Sequence, residues 1–148
     1  MLEEHLDPNA DLAKQAAELL YGEWGAEFNV FDGINNVDEL EALIKTYQVF
    51  LACLQGRVIG VATISSNDWD VRPDLSPWLG NVCVHTNYRN IGVGKGLVKF
   101  ALQHVDDVVY LWTYTTDLVR FYENMGFRLL HYVGNHKMYP HIYVLSSK

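Results

Sequence analysis

Apolar positions in this chain change period along its length, and each change marks an element. Near the start, Leu12, Ala16, Leu19 and Leu20 recur at helical spacing. Asp7-Pro8 supplies an N-cap followed by proline at the first helical position, so a helix is predicted from about Pro8. Gly22 and Gly25, around Trp24, end or bend it. Asn36 and Glu39 resemble a capping box, and Leu40, Leu43, Ile44 and Tyr47 continue a second helix. Residues 49–54 and 58–64 are apolar on both faces and flank Gln55-Gly56-Arg57. That pattern reads as a tight hairpin in a sheet covered on both sides. Residues 65–77 form a polar loop, and 78–84 a further strand.

Beyond residue 92 the period returns to helical, with Leu97, Val98, Ala101, Leu102 and Val105 on one face. Residues 108–112 read as a strand. Residues 117–125 read as a helix with Leu118, Phe121, Tyr122 and Met125 on one face and Gly126 as its C-cap. Residues 128–133 and 141–145 are strand candidates. A strand ahead of the first helix, at residues 2–6, would be very short. The order is ααββ, then βαβ, then αββ, without repeats or a low-complexity linker.

At 148 residues the chain reads as one domain, residues 1–148. Its 49% hydrophobic and 20% charged residues suit a globular core. A net charge of −7 with no Lys/Arg run argues against nucleic acid as a partner and is compatible with a cationic one. Cys53 and Cys83 form no CxxC pair and sit in apolar runs, which reads as two buried free thiols. The acidic N-terminus resembles no signal peptide, and no window is apolar enough to span a bilayer. The expectation is therefore a cytoplasmic protein without membrane association. His131, His136 and His141, five apart, suit no zinc site, so no metal is expected.

Candidate chemistry concentrates between residues 81 and 96. A β-branched run, Val82-Cys83-Val84, leads into Arg89-Asn90-Ile91-Gly92-Val93-Gly94-Lys95-Gly96, and a helix follows. Strand, glycine loop and helix in that order build a diphosphate cradle. A helix N-terminus carries unpaired N–H groups and partial positive charge, and glycines admit a ligand to the backbone. The spacing is neither the dinucleotide fingerprint nor a P-loop. Glycines for close helix packing are the alternative.

Together with Phe121-Tyr122-Glu123-Asn124-Met125-Gly126-Phe127 and the element order, this loop resembles the GNAT superfamily of N-acetyltransferases. The loop matches the family's Arg/Gln-x-x-Gly-x-Gly/Ala signature, and the second segment its Tyr-x-x-x-Gly-Phe helix end. The resemblance implies a three-layer α/β/α fold around a central mixed sheet, splayed to admit acetyl-CoA. It implies transfer of acetyl from that cosubstrate to a primary amine of a small molecule or peptide by direct attack.

Under the resemblance, backbone groups at Val82, Cys83 and Val84 pair with pantetheine. The amides of Asn90, Ile91, Gly92, Val93 and Gly94, with Lys95 and Gly96 in the next turn, hold the pyrophosphate. Arg89 either braces the loop or meets a phosphate, and Lys95 either adds charge or is a solvated helix lysine. Tyr122 matches the family's general acid. A phenol stays protonated at neutral pH and can donate to the departing thiolate. On its own helix face it equally reads as a core tyrosine. An N–H near Val84 would stabilise the oxyanion.

Two positions depart from the family pattern. Thr115 stands where many members carry Asn. The central strands offer Asn81, His85, Tyr110 and Thr113 but no carboxylate, so the base is unassigned, with His85 or a water relay as candidates. Glu23, Glu27, Asp68 and Asp70 are candidates for an acceptor cleft, and Trp24, Phe28 and Trp69 for its wall. A non-catalytic acyl-CoA sensor and a different nucleotide-diphosphate binder are the rival readings. The strand edges leave a homodimer open.

Overall fold

The computed structural model describes residues 2–5, 10–66, 72–137 and 139–148. The elements in chain order are β1 (Leu2–His5), α1 (Ala10–Asp32), α2 (Val37–Ile44), β2 (Gln48–Leu54), β3 (Arg57–Ser65) and β4 (Trp78–Val84). After them come α3 (Val93–Leu102), β5 (Tyr110–Thr113), α4 (Thr116–Glu123), β6 (Arg128–Gly134) and β7 (His141–Ser146). The strands hydrogen-bond in the order β1-β2-β3-β4-β5-β7-β6, a mixed sheet with β4 parallel to β5. Among the described residues, the β4–β5 ladder has Trp78 opposite Tyr110 as its register pair. The chain forms two compact units, Met1–Ile64 with Asn81–His104, and Ser65–Gly80 with Val105–Lys148.

In the first unit α1 carries its core seam on small residues. Ala13, Ala16, Ala17 and Leu20 are fully buried, while Leu12 and Leu19 only flank the cluster. Of the two outcomes expected around Gly22 and Gly25, an end or a bend, the helix shows the bend. It breaks at Trp24, whose φ of −130° and ψ of 25° are non-helical, and runs on to Asp32. Trp24 and Phe28 pack on the same apolar cluster. That burial outweighs the roughly 1 kcal/mol that each helical glycine costs. The proposed start at Asp7-Pro8 lies outside the described residues.

The Asn36 side chain caps α2 by accepting from the Glu39 amide at 2.9 Å. The return bond of the box slips by one residue, with Glu39 accepting from the Asn35 amide at 2.8 Å. Helix α2 stops at Ile44, so Tyr47 lies past its end. Gln55 and Gly56 turn the β2–β3 hairpin with φ of 52° and 77°, both left-handed, as a two-residue turn matched to strand twist requires.

Both faces of that hairpin are buried. Val49, Leu51 and Val61 join the α1–α2 cluster. On the other face Phe50 meets Phe100 of α3 edge-on at 5.9 Å. Helix α3 approaches β3 closely because Gly60 has no side chain. A Cβ there would sit 2.7 Å from Leu97 Cδ1 and 3.3 Å from Val93 Cγ1. Cys83 is buried in this unit, whereas Cys53 is only partly so, and neither is in a disulfide.

In the second unit β5 begins two residues later than its apolar run suggests. Its register is set by β7, with Tyr110 opposite Ser146 and Thr113 opposite Tyr143. Thr115 caps α4, its hydroxyl accepting from the Leu118 amide at 3.2 Å. At the other end Phe127 N–H bonds Tyr122 C=O at 3.1 Å and Gly126 N–H bonds Glu123 C=O at 3.0 Å. This Schellman closure needs a left-handed residue at Gly126, where φ is 100°. Of the four apolar positions predicted for one face, Tyr122 is buried, Phe121 and Met125 are half-buried and Leu118 is exposed.

Candidate active site

The first unit holds the loop. Strand β4 ends at Val84, and His85 begins a 3₁₀ turn over Thr86–Tyr88 by accepting from the Asn87 amide at 3.1 Å through Nδ1. The chain then crosses the left-handed region twice, at Asn90 (φ 66°) and Gly92 (φ 90°), before α3 begins. Helix α3 has no side-chain cap. Its first bond into the loop is Gly96 N–H to Gly92 C=O at 2.9 Å. Among the described residues, no protein acceptor takes the amide N–H of any residue from Asn90 to Lys95. A run of unpaired donors at a helix N-terminus is an anion cradle, and the donor set suits a pyrophosphate. Lys95 and Ile91 are exposed beside it.

Arg89 is tied into the protein. Its Nε donates to Val84 C=O at 2.8 Å and its Nη2 to Glu23 of α1 at 3.0 Å. A cavity of about 340 Å³ opens here, lined by Gln15, Glu18, Glu23, Arg57, His85 and Arg89, among others. Gln15 holds the hairpin against α1 by accepting from the Val58 amide at 2.9 Å. Burial pushes the Cys83 thiol up to about 11, Glu23 adds to the rise, and the Arg89 cation opposes it. The thiol is therefore neutral at pH 7 and a poor nucleophile.

Two of the strand-end groups, Asn81 and His85, are engaged elsewhere. Asn81, itself left-handed at φ 52°, donates its amide to the Thr63 hydroxyl at 3.0 Å. His85 accepts at Nδ1, so its neutral form carries the proton on Nε2 and has no second lone pair to take one. Thr113 is buried. Glu27 lies half-buried on α1. Asp68, Trp69 and Asp70 lie outside the described residues.

Tyr122 belongs to the second unit. Its ring is edge-on to Phe121 at 5.0 Å and to Phe127 at 5.6 Å, and 7% of the residue is exposed. Burial raises the phenol above its usual value, so it is fully protonated at neutral pH. Its hydroxyl has no hydrogen-bond partner among the described residues. A core tyrosine ordinarily bonds its hydroxyl when buried. Among the described residues this one has no acceptor for its proton.

Sequence reasoning passed over Gly60 and Gln15. A glycine inside a β-branched run signals close backbone or helix approach, which could have found the first. Nothing local singles out the second.

Among the described residues no group of three or more His, Cys, Asp or Glu side chains gathers as a metal site, and no helix is long and apolar enough to cross a membrane. The family model for the acetyltransferase (GNAT) domain matches residues 45–129, more than half the chain. Among solved structures, the aminoglycoside 6′-N-acetyltransferase from Enterococcus faecium is similar at 18% identity and a TM-score of 0.76, over 99% of this chain and 95% of that one. Escherichia coli ElaA is similar at 20% and 0.73, over 100% and 99%. An aminoglycoside 6′-N-acetyltransferase complexed with coenzyme A is similar at 17% and 0.77, over 99% and 95%. At these identities the likeness establishes the fold. No curated protein sequence matches.

Proposed function

We propose, from the premise that this chain belongs to the GNAT family of acetyltransferases, that it moves acetyl from acetyl-CoA to a primary amine by direct attack. The observation that carries the reading is the run of amides from Asn90 to Lys95, with a left-handed Gly92 in its middle, that no acceptor among the described residues takes. That cradle suits the pyrophosphate of acetyl-CoA, and β4 at Val82, Cys83 and Val84 supplies main chain for the pantetheine arm. Acetyl-CoA supplies an activated thioester.

The amine must shed its proton before attack, since an alkylammonium titrates near ~10. With Asn81 and His85 engaged, we assign that step to water rather than to a strand side chain. Tyr122 donates its proton to the departing sulfur, the role its unpartnered, protonated hydroxyl suits. A β4 amide near Val84 faces the oxyanion. Cys83, neutral and buried, forms no acetyl-enzyme.

The proposal takes residues 1–148 as one acetyltransferase domain acting in the cytoplasm. The acceptor panel spans peptide N-termini, lysine, polyamines and aminoglycosides, the last because of what two of the similar structures are named for. Self-association is proposed through edge strand β6, where Leu129, Leu130 and Tyr132 are exposed. Sedimentation of the wild type tests it, and a monomer at every concentration refutes it.

Isothermal titration with acetyl-CoA, NAD and ATP tests the core proposal. Binding to acetyl-CoA alone supports it, and no binding to acetyl-CoA refutes it. The lack of a strand-end base keeps a second reading alive, an acyl-CoA sensor without catalysis. CoA release that is slow for every acceptor, and equal in Tyr122→Phe, would favour the sensor.

A further inference from the structure

Arg89 stands directly before the amide cradle, and its guanidinium is spent inside the protein. One arm bonds the last carbonyl of β4, Val84, at 2.8 Å, and another bonds Glu23 of α1 at 3.0 Å. Glu23 and Arg89 are 66 positions apart in sequence. The other ion pairs found among the described residues, Lys45–Glu41 and Arg72–Asp74, are local. Glu23 also sits one residue before the break in α1. Trp24, the broken residue, packs into the apolar cluster, which fixes the backbone from which the carboxylate reaches across.

We infer that Glu23 is a positioning residue for cosubstrate binding: through Arg89 it holds the loop so that the amides from Asn90 to Lys95 converge before a ligand arrives. This rests on the acetyl-CoA reading above. A loop that crosses the left-handed region twice has many alternatives when empty. A tether at its entry lowers the ordering cost that binding would otherwise carry. The alternative arrangement has the opposite sign. If Arg89 served the phosphates directly, Glu23 would be their competitor, and removing its charge would tighten binding.

The test is titration of acetyl-CoA into wild type, Glu23→Gln, Arg89→Gln and the double variant, with Glu18→Gln as control. Glu18 lines the same cavity. The Glu23 and Arg89 side chains are 40% and 41% exposed. The expected weakening in Glu23→Gln is therefore about two- to five-fold, the range an exposed pair carries. Turnover at saturating acetyl-CoA should be unchanged. The Glu23 effect should vanish in the Arg89→Gln background, and Glu18→Gln should bind as wild type. Unchanged or tighter binding in Glu23→Gln, or equal weakening with and without Arg89, overturns the inference. If wild type itself binds no acetyl-CoA, the functional reading falls and takes this inference with it.

Discussion

The glycine loop and helix α4 present their hydrogen-bond donors in opposite ways. The loop in the first unit offers main chain: amides from Asn90 to Lys95, aligned by two left-handed residues, with mostly exposed side chains around them. Helix α4 in the second unit offers a single side chain, the Tyr122 hydroxyl, packed by Phe121 and Phe127 and without a partner among the described residues. Main-chain donors tolerate side-chain change but depend on φ and ψ. A side-chain donor depends on one atom and little else. The first kind of site suits affinity for a diphosphate, the second a proton transfer.

Mutations should separate these dependences. The largest effect is expected from Tyr122→Phe, which keeps the ring packing and deletes the donor. Turnover should fall by about 10²- to 10⁴-fold, the usual worth of general acid catalysis, with acetyl-CoA affinity unchanged. Retained turnover would make Tyr122 a packing residue. Gly92→Ala should act the other way. A Cβ at Gly92 meets nothing within 4 Å, so the cost is purely the left-handed backbone, about 1–2 kcal/mol. Calorimetry should show weaker acetyl-CoA binding, or urea melts a matching loss of stability. Wild-type values in both would show that the loop does not need the glycine's conformation.

Thr115→Ala removes the α4 cap and should cost about 1 kcal/mol in urea unfolding while leaving acetyl-CoA affinity intact. A change in affinity instead would mean that the two regions are not separable. The smallest signal at neutral pH is expected from Cys83. Its thiol is raised from 9.0 to about 11, so the folded state keeps a proton that the unfolded chain has lost. Stability from this group is present below pH 9 and declines as pH rises through 11. Iodoacetamide labelling of Cys83 in the native protein, read by peptide mass spectrometry apart from half-buried Cys53, should be slow at pH 7 and still accelerating at pH 10. A plateau near pH 8 would contradict the burial of the thiol.

Much was legible before folding because it obeys local rules. Gln55-Gly56 dictates the hairpin, Asn36 and Gly126 delimit their helices, and the run at 78–84 is β4 as observed. The loop's glycines were legible for the same reason, since chirality forbids most residues the φ that Gly92 adopts. Elsewhere long-range packing settled or overrode the local signal. Gly22 and Gly25 left an end or a bend of α1 open; the structure shows the bend, at Trp24, with the packing of Trp24 and Phe28 continuing the element to Asp32. The strand β5 starts where β7 pairs with it, not where the apolar run starts.

By itself, then, the sequence determined the elements, their order, the glycine loop ahead of α3 and the family resemblance, because turns, caps and periodicity act over a few residues. Only the tertiary structure decided which groups are spent and which are free. It tied Arg89 to Glu23 across 66 positions, occupied Asn81 and His85, gave Thr115 to a helix cap and, among the described residues, left the Tyr122 hydroxyl without a partner. A hydrogen-bonding partner is a matter of distance in space, and that distance is set by the packed core rather than by any spacing along the chain.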